Sequence, residues 1–155
     1  MASNVSNHAG NYVLILKLAE HRSIKIGKLG TNKFNKGYYG YVGSAFGPGG
    51  LRARIRHHLR KSRNPHWHVD YLRRRSSPVQ IWWSTTRIRR EHDWAAVMGK
   101  LLGASRVIKG FGASDCNCFS HLFYFERNPK FIMYKKILSD GGFEPAIKTV
   151  LREPF

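Results

Sequence analysis

A glycine-rich turn that opens a basic helix is the first place where this sequence could do chemistry. The turn is GSAFGPGG, residues 43–50, and the helix after it places Arg54 and His58 four residues apart, on one helical face. Such a turn can offer backbone N–H groups to an anion. It lacks the Gly-Lys-Ser/Thr ending of a nucleotide phosphate loop. Arg54 could equally be one solvated cation among several, so the pattern alone leaves its role open.

A second group combines residue types that bind zinc. Its members are His66, His68, Asp70, Cys116, Cys118 and His121. The His-x-His and Cys-x-Cys spacings are not those of the usual zinc fingers, so structural zinc is one interpretation among three. Another is a buried hydrogen-bonded network of His68, Asp70, Asp115 and Ser120. A role in substrate selection is the third.

The charge of the chain indicates a polyanionic partner. Its 155 residues include 27 Lys and Arg against 9 Asp and Glu, for a formal net charge of +18. A compact domain with this excess repels itself unless it meets a polyanion, and nucleic acid is the first candidate. No stretch approaches the length of a membrane-spanning helix. The predicted phosphate-contacting surface consists of Arg52, Arg56, Arg60, Lys61 and Arg63, with Arg73, Arg74 and Arg75 beside it.

The cysteines and the first residues bear on location. The chain has two cysteines, Cys116 and Cys118, and their separation by one residue is poor geometry for a disulfide. The first ten residues have neither a basic region nor an apolar segment, so we expect no secretory signal. Both observations favour a reduced, cytoplasmic setting.

The elements that must position these residues follow from the apolar patterns. Apolar runs predict four strands, at 11–18, 38–44, 79–86 and 119–125. Four-residue apolar spacing and an Asn64-Pro65 start signal predict three helices, at 50–61, 66–75 and 89–102. Residues 31–37 are predicted as a loop. The first strands meander, so we expect an α+β fold (a small α/β domain) in which helices flank a central three-stranded sheet, antiparallel or mixed.

The chain is predicted to form one domain with an extension. Residues 10–126 contain all the patterns described above. Residues 127–155 are basic, and we expect them to form two short helices, separated near Gly141-Gly142, that pack on the main body.

Several of these residues together resemble the GIY-YIG nuclease signature. Tyr41-Val42-Gly43-Ser44 followed by Leu51-x-x-Arg54-Ile55-x-x-His58 is similar to its second half. Gly10-Asn11-Tyr12 is similar to its first half, with Asn11 where the signature has an aliphatic residue, and Glu91-x-x-Trp94-Ala95 is similar to its glutamate helix. The phrases GYYGYVGSAFGPGGL, HWHVDYL and FGASDCNCFSHLFYF resemble a small prokaryotic branch of that superfamily. The resemblance covers residues 10–126, and IKIGKLGTNKFNKG (24–37) would be an insertion.

The resemblance implies a site for metal-dependent hydrolysis of phosphodiester bonds. Glu91 would hold one Mg²⁺ or Mn²⁺ ion, with waters and the substrate phosphate completing the shell. Arg54 would donate two hydrogen bonds to the scissile phosphate, where lysine would be a poor substitute. The base would be Tyr41 or Tyr12, assisted by His58, with a pKa lowered by the metal and the arginines. Glu91 also suits a helix N-terminus electrostatically, which is its simpler interpretation.

We therefore expect a divalent-metal-dependent DNA endonuclease that acts in repair or in the processing of structured DNA. No obligate protein partner is inferred. One alternative is a module on the same scaffold that binds nucleic acid without cutting it. Another is an adaptor stabilised by zinc.

Overall fold

A six-stranded antiparallel sheet forms the centre of the fold. The computed structural model describes residues 5–61, 63–113, 118–142 and 148–151. The strands are β1 (Gly10–Leu18), β2 (Arg22–Lys25), β3 (Thr31–Phe34), β4 (Gly37–Ala45), β5 (Ser77–Thr85), β6 (Ser105–Arg106), β7 (Leu122–Phe125) and β8 (Lys148–Leu151). The helices are α1 (Gly50–Leu59), α2 (His68–Arg73), α3 (Glu91–Met98) and α4 (Phe131–Asp140).

The order of strands in the main sheet is β6-β7-β4-β1-β5-β8, and every pair is antiparallel. This confirms the α+β class and the antiparallel alternative. The expected count of three strands was wrong, because short edge strands extend the sheet. The two residues of β6 are too few to show an alternating pattern, and β8 lies in a segment that was expected to be helical.

Strand β1 is the centre of the sheet and is covered on both faces. All of its residues except Lys17 are buried. Its alternate residues enter two separate cores, as the two-residue period of a strand requires. Tyr12 and Leu14 pack in the core that α1 and α2 cover, and Val13 and Ile15 pack in the core that α3 and α4 cover.

The segment between β1 and β4 forms a second, two-stranded sheet. Strands β2 and β3 pair antiparallel and are joined through a 3₁₀ turn at Gly27–Leu29. Residues 31–34, which were expected to be part of a loop, are β3. Their polar composition hides the strand, and its apolar end, Phe34, packs in the first core with Ile24 and Ile26.

The glycine-rich turn shapes the entry to α1. Gly49 and Gly50 have positive φ angles of 82° and 58°, which residues with a side chain rarely adopt. The first N–H groups of the helix are already used: Leu51 donates to the carbonyl of His8 (3.0 Å) and Arg52 donates to that of Ser6 (2.9 Å). The expected anion site at this helix start is therefore wrong, because the N-terminal segment occupies its donors.

Helix α2 begins later than its start signal suggests. The first helical residue is His68, with Trp67 before it, and Asn64-Pro65 lies outside the helix. The cause is Asp70, whose Oδ2 accepts hydrogen bonds from the backbone N–H groups of His66 (2.8 Å) and Trp67 (2.9 Å). This carboxylate satisfies donors that a helix start leaves unpaired, so the helix begins around it.

In the described residues after β7, the chain contributes one helix and one strand. Tyr134 of α4 is buried, and its hydroxyl donates to the backbone carbonyl of Trp94 (2.9 Å). Strand β8 pairs with β5 at the edge of the sheet, so the expectation of two short helices was wrong. Within the described part of the chain, no helix combines the length and apolar character needed to cross a membrane.

Candidate active site

One cleft brings together residues from distant parts of the chain. Its volume is about 270 Å³. Three of the five predicted catalytic residues line it: Tyr41 from β4, Arg54 from α1 and Glu91 from the start of α3. The segment His66–His68 and the residue His121, which directly precedes β7, complete much of the wall. The fold thus places side chains from one strand and two helices around the same cleft.

Arg54 is held in a fixed orientation on the cleft wall. Its Nη1 donates to the backbone carbonyl of Ser44 at 3.1 Å. Its guanidinium carbon lies 4.1 Å from the centre of the Trp67 ring, which is a cation–π distance. Lysine has no planar group that could stack and donate in this way, so the position favours arginine.

The loop that carries Trp67 is fixed by a buried carboxylate. In addition to the two backbone N–H groups described above, Asp70 contacts Nε2 of His57 through Oδ1 at 2.9 Å. Burial opposes the charged form of Asp70, but the N–H groups of Trp67 and His66 together with the His57 imidazole hold its pKa below the usual range. Asp70 therefore acts on the cleft indirectly, by positioning Trp67 against Arg54.

Tyr12 and His58 lie behind the cleft wall. Tyr12 is 0% exposed and His58 is 1% exposed. The hydroxyl of Tyr12 is 2.7 Å from Nε2 of His58. Burial raises the pKa of Tyr12 strongly, and the nearby Arg54 charge offsets this only in part. Burial also lowers the pKa of His58 to about 3, so His58 is neutral near pH 7.

Tyr41 is the tyrosine that faces the cleft, with 7% of its surface exposed. Its ring centre lies 6.3 Å from that of Tyr12 and 6.1 Å from that of His58. Burial raises the pKa of Tyr41 well above its usual value, and the charges of Tyr12 and Glu91 raise it further. Arg54 lowers this pKa, but burial outweighs it. In the protein without a metal ion, the arginine contribution expected from the sequence is therefore present, but it is too small to offset burial and bring the pKa of Tyr41 down.

A buried asparagine sets the start of the helix that carries Glu91. Asn11 of β1 accepts a hydrogen bond from the N–H of Arg90 (3.1 Å) through Oδ1, and its Nδ2 donates to the carbonyl of Ile88 (3.3 Å). Both partners precede Glu91 in the chain. The polar residue that departs from the GIY-YIG pattern thus links the central strand to the glutamate.

Glu91 lies beside a histidine on the cleft wall. Its Oε2 is 3.9 Å from Nδ1 of His121, and 19% of its side chain is exposed. Burial lowers the pKa of His121, with Glu91 acting in the opposite direction. A partly exposed carboxylate fits a hard cation such as Mg²⁺ or Mn²⁺, which keeps several waters and takes one or two carboxylates from the protein.

The described members of the expected polar network bond to separate partners. His68 accepts a hydrogen bond from the N–H of Gly112 at Nδ1 (2.9 Å), and burial lowers its pKa. Within the described ranges, the hydroxyl of Ser120 bonds to the backbone of Leu122. Asp70 bonds to His57 and to the backbone of His66 and Trp67, so these three residues do not form the expected network.

The cysteine-containing loop is described in part. Asp115 and Cys116 lie outside the described residues. Cys118 is half-buried, and its Sγ lies 3.2 Å from Nδ1 of His92. His92 also lines the cleft, although no sequence pattern had indicated it as a site residue.

The basic surface divides into exposed and structural residues. Arg56, Arg60, Lys61 and Arg63 lie at the surface, as phosphate contacts must. Arg52 is half-buried, and its Nε donates to the carbonyl of Val5 at 2.9 Å. Arg73 is buried and donates to the carbonyls of His58 (2.7 Å) and Leu59 (3.0 Å), so it caps the end of α1 and does not belong to a phosphate-contacting surface.

The sequence did not indicate a site role for several residues of the cleft wall, among them Trp67, Arg89 and His92. Arg89 and His92 are close neighbours of Glu91 in the chain, and this proximity could have identified them. For Trp67, no local pattern indicates that its ring meets Arg54.

A protein-family model matches most of the chain. No curated protein and no solved structure matches the chain. A family model described as "Domain of unknown function DUF123" matches residues 11–140, which run from β1 through α4. All the cleft residues named above lie within that span. Because the match covers most of its length, the chain belongs to the DUF123 family.

Proposed function

We propose that the protein is a divalent-metal-dependent nuclease that hydrolyses phosphodiester bonds in DNA. The observation that supports this most is the cleft itself, in which Tyr41, Arg54 and Glu91 meet although they come from three separate elements. The net charge of +18 supports a polyanionic substrate. The resemblance to GIY-YIG nucleases supports DNA repair or the processing of structured DNA as the setting.

Arg54 would bind the phosphate that is cut. The Ser44 carbonyl and the Trp67 ring already fix the guanidinium, so little side-chain entropy is lost when a phosphate arrives. A planar donor group matches two phosphate oxygens at once. Arg54 would therefore set the position of the substrate and stabilise the additional negative charge of the transition state.

Glu91 would hold a Mg²⁺ or Mn²⁺ ion, which when bound supplies charge neutralisation for the phosphate and for the leaving oxygen. Its location at the start of α3, fixed by Asn11 through Arg90, keeps the carboxylate in place against the cleft. Partial exposure leaves room for the waters that such cations retain.

Tyr41 would act on the attacking water. Its raised pKa keeps the phenol neutral in the protein alone, so Tyr41 first orients the water or a phosphate oxygen by a hydrogen bond. The Tyr12–His58 pair supports the Tyr41 ring from behind and does not reach the substrate, because both members are buried. Tyr41 is thus the tyrosine assigned to the reaction.

The test is a cleavage assay on supercoiled plasmid and on flapped or branched oligonucleotides, with Mg²⁺, Mn²⁺ or EDTA. We expect Glu91→Gln and Arg54→Ala each to lower cleavage by about 100-fold or more. Asp93→Asn is the matched control, because Asp93 is on the same helix and its ion pair with Arg90 is exposed. Circular dichroism verifies that each variant folds.

Two outcomes would contradict the proposal. Cleavage that survives both Glu91→Gln and Arg54→Ala would show that this cleft is not the active site. Salt-sensitive DNA binding without any cleavage, unaffected by EDTA and by Glu91→Gln, would instead support a module that binds nucleic acid without cutting it.

A further inference from the structure

Two histidines and a cysteine converge on the cleft wall. His92 is the second residue of α3, while Cys118 and His121 belong to the segment before β7. One ligand atom from each of the three lies within 4.8 Å of the other two. Nδ1 of His92 is 3.2 Å from Sγ of Cys118, and the rings of His92 and His121 are centred 5.9 Å apart.

The backbone holds this convergence in place. The N–H of Val42 in β4 donates to the carbonyl of His121 (3.0 Å), and the N–H of His121 donates to the carbonyl of Phe111 (2.9 Å). His121 is 2% exposed, so its ring has little freedom to move. His92 is on the first turn of α3, whose start Asn11 fixes. Two of the three side chains therefore come from rigid parts of the fold.

The donor set favours one class of cation. A thiolate with two imidazoles suits Zn²⁺ and similar transition ions, whereas Mg²⁺ and Ca²⁺ prefer oxygen. Bond lengths of about 2.0–2.1 Å to nitrogen and about 2.3 Å to sulfur separate tetrahedral ligands by about 3.3–3.7 Å. The 3.2 Å between His92 and Cys118 is close to this spacing. All three ligand atoms lie within 4.8 Å of one another, so a cation would draw the remaining pairs closer by about 1 Å at most.

We propose that His92, Cys118 and His121 bind one zinc ion whose fourth coordination position faces the cleft. Three protein ligands and one open position are typical of catalytic zinc sites, whereas structural sites have four protein ligands. His92 and His121 both line the cleft, so the open position is available to water or to an oxygen of the substrate. The site lies next to Glu91, 3.9 Å from His121.

The three-ligand site differs from the zinc interpretation that the sequence suggested. His68 is occupied by the N–H of Gly112, and Asp70 is occupied by two backbone N–H groups and His57. A second group of candidate ligands, His57, His58 and Asp70, is also engaged inside the protein. His57 contacts Asp70 and His58 contacts Tyr12, and His58 and Asp70 are buried. His92 replaces them as a ligand, and only the tertiary structure brings it to Cys118.

The test uses Co²⁺ as a spectroscopic probe on the full chain, after metal has been removed with a chelator. We expect one Co²⁺ per chain, a sulfur-to-cobalt charge-transfer band, and loss of that band when Zn²⁺ is added. Cys118→Ser should abolish the band, and His92→Asn should weaken Co²⁺ binding by about tenfold or more. A wild-type protein without the band, or a band that persists in Cys118→Ser, would overturn the proposal.

Matched controls identify the ligands. Cys116→Ser removes the other cysteine of the chain and should keep the band, and His68→Asn should keep the affinity for Co²⁺. His121 is buried, so the His121→Asn variant could fail to fold. The His92→Asn variant changes an exposed residue and tests the site independently. An unchanged affinity of His92→Asn for Co²⁺ would overturn the three-ligand site. The zinc test measures absorption by bound Co²⁺, whereas the nuclease test measures DNA cleavage. Either proposal can therefore fail its test while the other holds.

Discussion

The hydroxyl of Tyr12 lies 2.7 Å from Nε2 of His58, which joins the central strand β1 to helix α1 inside the core. Neither side chain lines the cleft, although the sequence predicted both as catalytic residues. The pair lies directly behind Tyr41, which does line it. The predicted catalytic residues therefore separate into those that line the cleft and those that support them from inside the core.

Tyr12→Phe and Tyr41→Phe should have different effects. Tyr12→Phe removes the partner of a buried histidine nitrogen, and we expect it to lower the free energy of unfolding by about 1–3 kcal/mol. Tyr41→Phe should lower cleavage by about 100-fold, because it would remove the hydroxyl that we propose orients the attacking water. Urea denaturation and the plasmid assay measure the two effects. A larger loss of cleavage in the folded Tyr12→Phe protein would show that the inner tyrosine is the reacting one.

Asn11→Ala should reduce cleavage although Asn11 does not line the cleft. The change leaves the N–H of Arg90 and the carbonyl of Ile88 without their Asn11 partner, which should cost about 1–3 kcal/mol of stability and loosen the start of α3. Asn32→Ala is the control, since Asn32 makes comparable bonds to the carbonyls of Leu29 and Gly30 within the β2–β3 hairpin. Cleavage that falls equally in both variants would mean that stability, and not the position of Glu91, is the cause.

Acid should destabilise the protein through His58. Burial, only partly offset by the charge of Asp70, lowers the pKa of His58 from 6.5 to about 3. Below pH 6.5 the unfolded chain binds a proton at His58 that the folded protein does not. The stability contributed by neutral His58 is complete above that pH and is lost as the pH falls towards 3, by about 1.4 kcal/mol per pH unit.

The measurement for His58 is urea denaturation at about pH 7.5 and about pH 5, in the wild type and in His58→Gln. Glutamine does not titrate, so the difference in unfolding free energy between the two pH values should shrink in the variant. An equal pH dependence in both proteins would assign the effect to other groups.

Asp70→Ala should disturb Arg54 from a distance. The variant removes the acceptor of the His66 and Trp67 N–H groups and the partner of His57. We expect a loss of about 1–3 kcal/mol of stability for each buried donor left unsatisfied. Intrinsic fluorescence, to which Trp67 contributes as one of four tryptophans, and DNA affinity should both change if the protein still folds, because the Trp67 ring then loses its position against Arg54. Asp140→Ala, at an exposed site, should change neither.

Salt dependence should identify the DNA-binding face. Replacing Arg56, Arg60, Lys61 and Arg63 by alanine should make the plot of log Kobs against log salt shallower by about 0.9 for each phosphate that is no longer neutralised. The control replaces Arg127, Lys130, Lys135 and Lys136, which are on or next to α4, on the opposite face of the sheet from α1. Equal changes in the two variants would mean that net charge alone governs binding.

Much of the inner fold was predictable from local patterns. The apolar run of β1 and the four-residue spacing of Leu51, Ile55 and Leu59 in α1 indicate burial directly, because neighbouring residues determine these periods. The outer parts were not predictable in this way. Strand β6 has two residues, and β3 is polar, so both form because they pair with neighbouring strands.

The same division applies to the candidate site. By itself, the sequence determined the residue types that suit phosphate chemistry, the net charge of +18, and the order of Tyr41, Arg54 and Glu91 along the chain. The tertiary structure alone decided that Tyr41 faces the cleft while Tyr12 does not, that Trp67 stacks on Arg54, and that His92 meets Cys118. The physical reason is that burial and side-chain contact depend on which elements pack together, and residues far apart in the chain leave no local pattern of that packing.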